Sequence, residues 1–320
     1  MDDNNKIVNR ILIGLAIGGV IGGVIGWFGG GVIGLVIGVV IDVLVFLSLV
    51  ILYKVLSKNV IFNNIVAIYR KELQGYFGSP FIYIIAGVFW LLAGVFFVLI
   101  LSQIQQMELQ QAQMGIPPTP RDVTYEILQA FLGTIWSLFQ VILPILSMGL
   151  YTEERKRGTL ELLATSPITN WCVGLGKWLA ILTVVATLLL PLMVYEVITF
   201  STANPPMQYG VMLLGHAGLL LASGAILALG LFISSLTDSA ILAAILTFAL
   251  VIFLVIVDFL GRLAGGPFGE VLGHLSLAQN LNNLIQGVLD GKAIILFLSY
   301  IVLGIFLTAQ SIDALRFQRS

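Results

Sequence analysis

The chain has 320 residues, 59% of them hydrophobic and 10% charged, and a mean hydropathy of +1.06. That is far from the roughly 45–50% apolar and about 25% charged composition of soluble domains, so it reads as an all-α polytopic membrane protein. A net charge of −1 excludes a nucleic-acid binder, which needs a basic surface to release counterions. The single cysteine, Cys172, excludes an intrachain disulfide or a cysteine metal cluster and is expected to pack as a small apolar residue.

In chain order, MDDNNKIVNR precedes an apolar run from Ile11 to Leu52. The run is more than twice as long as a signal peptide's apolar core and has no obvious cleavage site, so it reads as retained membrane structure. One crossing takes roughly 20 residues. The run therefore suits two crossings with a turn at Gly29-Gly30-Gly31, and a single tilted or bent span is the alternative. Gly14, Gly18, Gly22, Gly26, Gly30, Gly34 and Gly38 recur every fourth residue, which on a helix makes a smooth strip for close backbone approach. That strip serves packing of the hairpin on itself, docking of another subunit or of the rest of the chain, or a glycine-lined pore. Asp42 falls near the middle of the second crossing, where an ionised carboxylate costs about 2.5–3.5 kcal/mol, so it faces protein or carries a proton.

Residues 60–78 follow, with Ile61, Ile65, Ile68, Leu73 and Tyr76 on one helical face and Asn63, Asn64, Arg70, Lys71 and Gln74 on the other. This pattern predicts a helix lying in the membrane interface, an elbow that carries Arg70, Lys71 and Glu72 and hands over to the first core span after Gly78-Ser79-Pro80. Six further runs are long enough to cross: Phe81–Ser102, Ile127–Leu150, Val173–Phe200, Val211–Ser234, Ala240–Leu260 and Ala293–Ile312. Two domains result, a glycine-rich hairpin over 1–58 and a six-span unit over 59–320.

With the hairpin there are eight spans. Lys6, Arg10, Lys54, Lys58, Arg70, Lys71, Arg155, Lys156, Arg157, Lys177, Arg316 and Arg319 then share one side, against Arg121, Arg262 and Lys292 on the other. The positive-inside bias makes the first side cytoplasmic, with both termini there. On the outer side, Gln103–Glu126 is glutamine-rich and turns at Pro117-Pro118 and Pro120, as a short exposed helix and a loop would. Residues 261–290 are apolar but too broken by glycine and polar residues to span alone.

The densest information lies in Tyr151–Pro167, YTEERKRGTLELLATSP, a charged island between two spans. Thr152 is placed to cap a helix with Glu153 and Glu154 in its first turn and Lys156 and Arg157 at its end, the arrangement the helix dipole favours. Gly158 ends or kinks that helix, Thr159 caps a second turn over Leu160–Ala164, and Thr169 or Asn170 caps the next span. The plainer alternative is an ordinary positive-inside loop.

The string Arg157-Gly158-Thr159-Leu160-Glu161-Leu162-Leu163 followed by Pro167, with the leading elbow and six spans, resembles type-2 ABC-transporter permeases. The likeness runs from about Phe62 to Arg316 and is nearest in character to the gliding-motility-associated or multi-copper-enzyme-maturation branch. It implies that the loop over 151–170 holds a coupling helix seated in a cleft of a separate ATP-binding subunit. Glu153, Glu154, Arg155, Lys156, Arg157, Gly158, Thr159, Leu160, Glu161, Leu162, Leu163 and Thr165 would supply the contacts. It also implies a homo- or heterodimer of six-span units surrounded by membrane lipids, a place in the cytoplasmic (inner) membrane, and re-entrant half-helices over 261–290. The hairpin departs from the six-span pattern.

The chain carries no phosphate-binding loop of its own, because Gly174-Leu175-Gly176-Lys177 is followed by Trp178 where Ser or Thr is needed and the upstream glycine is missing. ATP and Mg are therefore expected only in the partner, with no cofactor, metal or catalytic group on this chain. His216 and His274 lack the HExxH pattern of a metalloprotease. Glu196 and Asp258 fall near outer span ends, where snorkelling lowers their cost, and are candidates to line a substrate path. The leading functional expectation is the permease subunit of an ATP-driven exporter. The alternatives are a non-transporting ABC-type mechanotransmission or envelope-assembly scaffold, and an enzyme or ion-coupled transporter unrelated to ATP.

Overall fold

The computed structural model describes residues 60–115, 122–159, 169–201, 203 and 208–317. The chain divides into two compact units, Met1–Asn63 and Asn64–Ser320. The N-terminal hairpin, its glycines Gly14 to Gly38 and Asp42 lie outside the described residues.

The regular secondary structure of the described residues is helical, with no strand among them. In chain order the helices are α1 (Val60–Gly78), α2 (Pro80–Gln113), α3 (Val123–Ser147), α4 (Gly149–Lys156), α5 (Asn170–Phe200), α6 (Tyr209–Leu236), α7 (Ala240–Ala264), α8 (Gly266–Leu275), α9 (Leu277–Ile285) and α10 (Gly291–Phe317). Among the described residues, six helical stretches are long and apolar enough to cross a membrane: Pro80–Gln113, Val123–Lys156, Asn170–Phe200, Tyr209–Leu236, Ala240–Gly261 and Gly291–Ala314. Each contains or closely overlaps one of the six core runs read from the sequence. Helix α2 has 34 residues, about 51 Å at 1.5 Å per residue, longer than the roughly 30 Å hydrocarbon layer. Its glutamine-rich last turns, from Gln103 onward, are largely exposed.

Helix α6 is the hub. It packs against α3, α4, α5, α7, α9 and α10, and its side chains are buried nearly all round, as expected of a helix that is apolar on every face. Without a hydrophobic drive in lipid, helices associate by close packing, and the α6–α10 contact shows how close. A Cβ placed on Gly304 of α10 would lie 2.5 Å from the Ala228 carbonyl oxygen of α6. Indole N–H groups tie neighbouring helices through carbonyls, Trp90 to Leu188 O at 3.0 Å and Trp178 to Gly224 O at 2.9 Å. Large apolar side chains such as Ile84, Leu91, Val98, Ile245, Phe253, Ile295 and Val302 remain exposed on α2, α7 and α10, which suits lipid as solvent.

Residues 261–290 form the end of α7 and the short helices α8 and α9. The chain reverses at Gly265 and Gly266, both with left-handed φ of 58° and 61°, so that α8 folds back on α7 and a Cβ at Gly269 would lie 2.6 Å from the Gly261 carbonyl oxygen. Ser276 starts α9 by accepting a hydrogen bond from Gln279 N at 3.1 Å. Leu281 and Leu284 of α9 then fill the space left by Gly218 of α6, and the Tyr125 hydroxyl of α3 donates to Gln286 O at 2.9 Å. The pair of short helices thus closes the end of the bundle opposite the charged island.

Candidate functional site: the charged island and its buried anchor

The island is a continuation of the preceding span. The expected cap at Thr152 is corrected here: α4 already begins at Gly149, and Thr152 sits inside it, donating its hydroxyl to Met148 O at 2.8 Å. The break between α3 and α4 has two identifiable causes. Pro144 lacks the N–H that an interior helical position would donate. One turn later, the Ser234 hydroxyl of α6 inserts into the helical ladder, accepting from Tyr151 N at 2.8 Å and Thr152 N at 3.3 Å while donating to Met148 O at 3.2 Å. One donor and two acceptors use the full capacity of a hydroxyl, and such an insertion is a recognised origin of helix bends. Arg155 adds a second tie, its Nη1 donating to Ser235 O at 2.6 Å, where the C-terminal carbonyls of α6 favour a cation. Gly158, with φ of 71°, ends α4 as expected. The Thr159 hydroxyl turns back to donate to Glu154 O at 3.2 Å.

Beneath α4 lies a four-charge cluster drawn from three helices. Lys177 of α5, whose side chain is 3% exposed, reaches Glu72 Oε1 of α1 at 3.1 Å and Glu154 Oε1 of α4 at 3.0 Å. Lys71 approaches the same two oxygens at 3.3 and 3.6 Å from the exposed side. The Lys177 ammonium also stands 5.0 Å from the centroid of the buried Tyr151 ring, within cation–π range. Two cations and two anions balance, which is the condition for keeping charges out of water.

Gly176, beside Lys177, lets α1 come close enough for this: a Cβ there would lie 2.7 Å from Ile68 Cγ2 and 3.2 Å from Ile65 O. Ile68, Leu73 and Tyr76 of α1 pack on the core, and the Tyr69 hydroxyl meets Thr183 Oγ1 of α5 at 3.2 Å. Burial works against the Lys71 charge, but the Glu72 and Glu154 carboxylates outweigh it and raise its pKa above 10.5. Burial, then Glu72, Glu153 and Glu154, push the Tyr76 phenol up from 10.0.

The candidate residues therefore fall into separate groups. Glu154 and Arg155 face the body of the protein, whereas Glu153, Lys156, Arg157, Gly158 and Thr159 are exposed, with Glu153 and Arg157 paired along the helix at 3.7 Å. Arg70 and Lys71 are exposed on α1, and Glu72 is turned inward. Leu160, Glu161, Leu162, Leu163 and Thr165 lie outside the described residues. Thr169 is the N-cap of α5, without a side-chain cap bond. Its hydroxyl contacts Cys172 Sγ at 2.9 Å, while Asn170 Nδ2 donates to Asp313 Oδ1 of α10 at 2.6 Å.

Glu196 does not snorkel: it is fully buried, far along α5 from the island, 3.6 Å from His216. The side chain of Asp258 is outside the described set. In the sequence Lys177 reads only as an inside cation and as the lysine of an incomplete phosphate-loop string. The available signal was a lysine one turn inside an apolar helical run, which demands a partner.

A comparison with protein families finds that residues 66–319 match the ABC-2 family transporter protein. The match is to the family and does not single out a branch of it. No curated protein matches the chain. Members of this family are multi-pass membrane components of transporters that normally work with an ATP-binding subunit and are not themselves nucleotide-binding enzymes. With most of its length matched and six span-length helices in the matched region, the chain belongs to the ABC-2 family of transporter membrane proteins.

Proposed function

We propose that this chain is the permease subunit of an ATP-driven exporter of the cytoplasmic membrane. A separate ATP-binding subunit docks on the exposed face of α4 and on the residues that follow it, Leu160 to Thr165. The observation that carries this reading is the two-sidedness of α4: Glu153, Lys156 and Arg157 point to solvent, while Glu154 and Arg155 are tied to α1, α5 and α6. A helix built this way takes a push on one face and delivers it to three others. Because α4 prolongs α3 across the Ser234 insertion, a stroke on its free end moves the α3 span, and the Lys177 cluster carries the same displacement to α1 and α5.

In this reading α1 is the interfacial elbow, the island end is cytoplasmic, and both termini lie there with eight spans in all. ATP and Mg are held by the partner. Two such permease units face each other through apolar surfaces of the kind exposed on α2, α7 and α10.

Co-purification with a partner ATP-binding subunit tests the docking face. With Lys156 and Arg157 reversed to Glu the complex is expected to be lost while the permease itself remains folded. An intact complex in that variant moves the docking site elsewhere.

A further inference from the structure

A second buried polar station lies at the opposite end of α5, and neither the island nor its anchor uses it. Glu196 of α5 is fully buried and His216 of α6 is 4% exposed, with Glu196 Oε2 and His216 Nε2 3.6 Å apart. The station is roughly 28 Å from Lys177 along the helix at 1.5 Å per residue. Neither carboxyl oxygen of Glu196, nor His216 Nε2, nor the hydroxyl of the adjacent Tyr195 has a hydrogen-bond partner. Buried polar atoms are rarely left so, and each such group calls for an explanation.

The imidazole is oriented. His216 Nδ1 lies 3.0 Å from Met212 O, and a carbonyl only accepts, so Nδ1 carries the hydrogen and the Nε2 lone pair of the neutral ring faces the carboxyl. The surroundings are apolar: the Tyr195 ring packs edge-on against Phe97 of α2 and Phe131 of α3 at 4.9 and 5.8 Å, and Leu132 of α3 and Leu284 of α9 fill the space beside Gly215 and Gly218. Tyr195 is the one further titratable group among the described side chains that interacts with the pair. Asp122 and Glu126 of α3, His274 of α8, and Asp290 and Lys292 at the start of α10 are exposed or half-exposed, and none of them acts on Glu196 or His216. The side chains of Asp258, Arg262 and Glu270 are outside the described set.

We propose that Glu196 and His216 form a proton-binding site at this end of the bundle, holding one proton between Oε2 and Nε2, and that exchange of this proton requires α5 and α6 to part. With the proton on Glu196, a neutral acid faces a neutral ring. Transfer of that proton from Oε2 to Nε2 makes a carboxylate and an imidazolium, and the pair stays net neutral. Removing the proton altogether strands a carboxylate with no cation, in a place closed to water, which low-dielectric burial strongly opposes. At 3.6 Å the contact is just beyond hydrogen-bonding distance. This inference is independent of the exporter reading and of any ATP-binding partner.

Infrared difference spectroscopy of the full-length protein in lipid nanodiscs, titrated in H2O and D2O, tests it. The expected result is a protonated-carboxyl C=O band present at pH 7, abolished in Glu196→Gln, moved but retained in Glu196→Asp, shifted in His216→Gln, and slow to respond to D2O. Should Glu196→Gln fail to fold, Glu196→Asp alone decides: a band that does not move overturns the assignment. No difference between wild type and Glu196→Gln at pH 7, or a Glu196 band that titrates near the ordinary value of about 4.3, overturns the proposal. Immediate exchange in D2O overturns its closed character.

Discussion

Lys177 is the residue on which the island's geometry turns. Its ammonium neutralises two carboxylates contributed from α1 and α4, and removing one partner of a buried charge group typically costs about 3–5 kcal/mol. Lys177→Met is therefore expected to lower thermal stability in detergent by an amount of that order. The triple change Lys177→Met, Glu72→Gln, Glu154→Gln should recover most of the loss, because no buried charge is left unpaired and the one remaining cation of the cluster, Lys71, is solvent-exposed. If the single variant is as stable as wild type, the cluster is not closed.

The pH response has a definite sign. Lys71 and Tyr76 both hold their protons more tightly in the fold than their ordinary values of 10.5 and 10.0, so the stability each contributes is fully present below those values and is lost as pH rises through the folded ones. Unfolding scans should be flat in this respect from pH 7 to about 10 and fall beyond. A decline setting in near pH 8 would contradict the assignment. None of this pairing was legible in the sequence: Glu72 and Lys177 are 105 positions apart, and their meeting depends on how α1 and α5 are rotated, which local periodicity does not fix.

Helix α4 shows what an element-level reading captures and misses. The charged island, its helical character, the basic end and the stop at Gly158 were all visible, because capping and the helix dipole act within a few residues. The start was misplaced at Thr152. The interruption comes from Ser234 on α6, a residue of another helix that fills the ladder, and no local signal announces it. Ser234→Ala leaves the Tyr151 N–H without its buried acceptor and should cost about 1–3 kcal/mol; Ser234→Cys, whose sulfur keeps a weaker acceptor in place, should cost less. Equal losses in the two variants would assign the effect to packing instead.

Likewise Gly176→Val drives a side chain into Ile68 and the Ile65 backbone, which at typical overpacking costs of about 1–3 kcal/mol loosens α1. Faster labelling of a cysteine placed at Leu73, which packs on the core from the same helix, would report it, and unchanged labelling would show that α1 does not depend on this approach.

At the scale of the whole molecule, the six span-length helices among the described residues match the six core runs read from composition and length, because lipid demands about 20 apolar residues per crossing and internally satisfied backbone. The two short helices over 266–285 are not legible in periodicity, since glycine and polar residues blur the pattern. The central claim is that the bundle is worked from one end: a partner pushes on the free face of α4, and the buried face passes the motion to α1, α5 and α6.

Site-directed photo-crosslinking in the membrane tests it most directly, with the probe placed in turn at Glu153, Lys156 and Arg157 on that face and at Gln105 and Gln110 on the distant extension of α2. The account predicts links to the ATP-binding subunit from the three α4 positions and none from the α2 positions. Links from α2 alone, or none from α4, would contradict it.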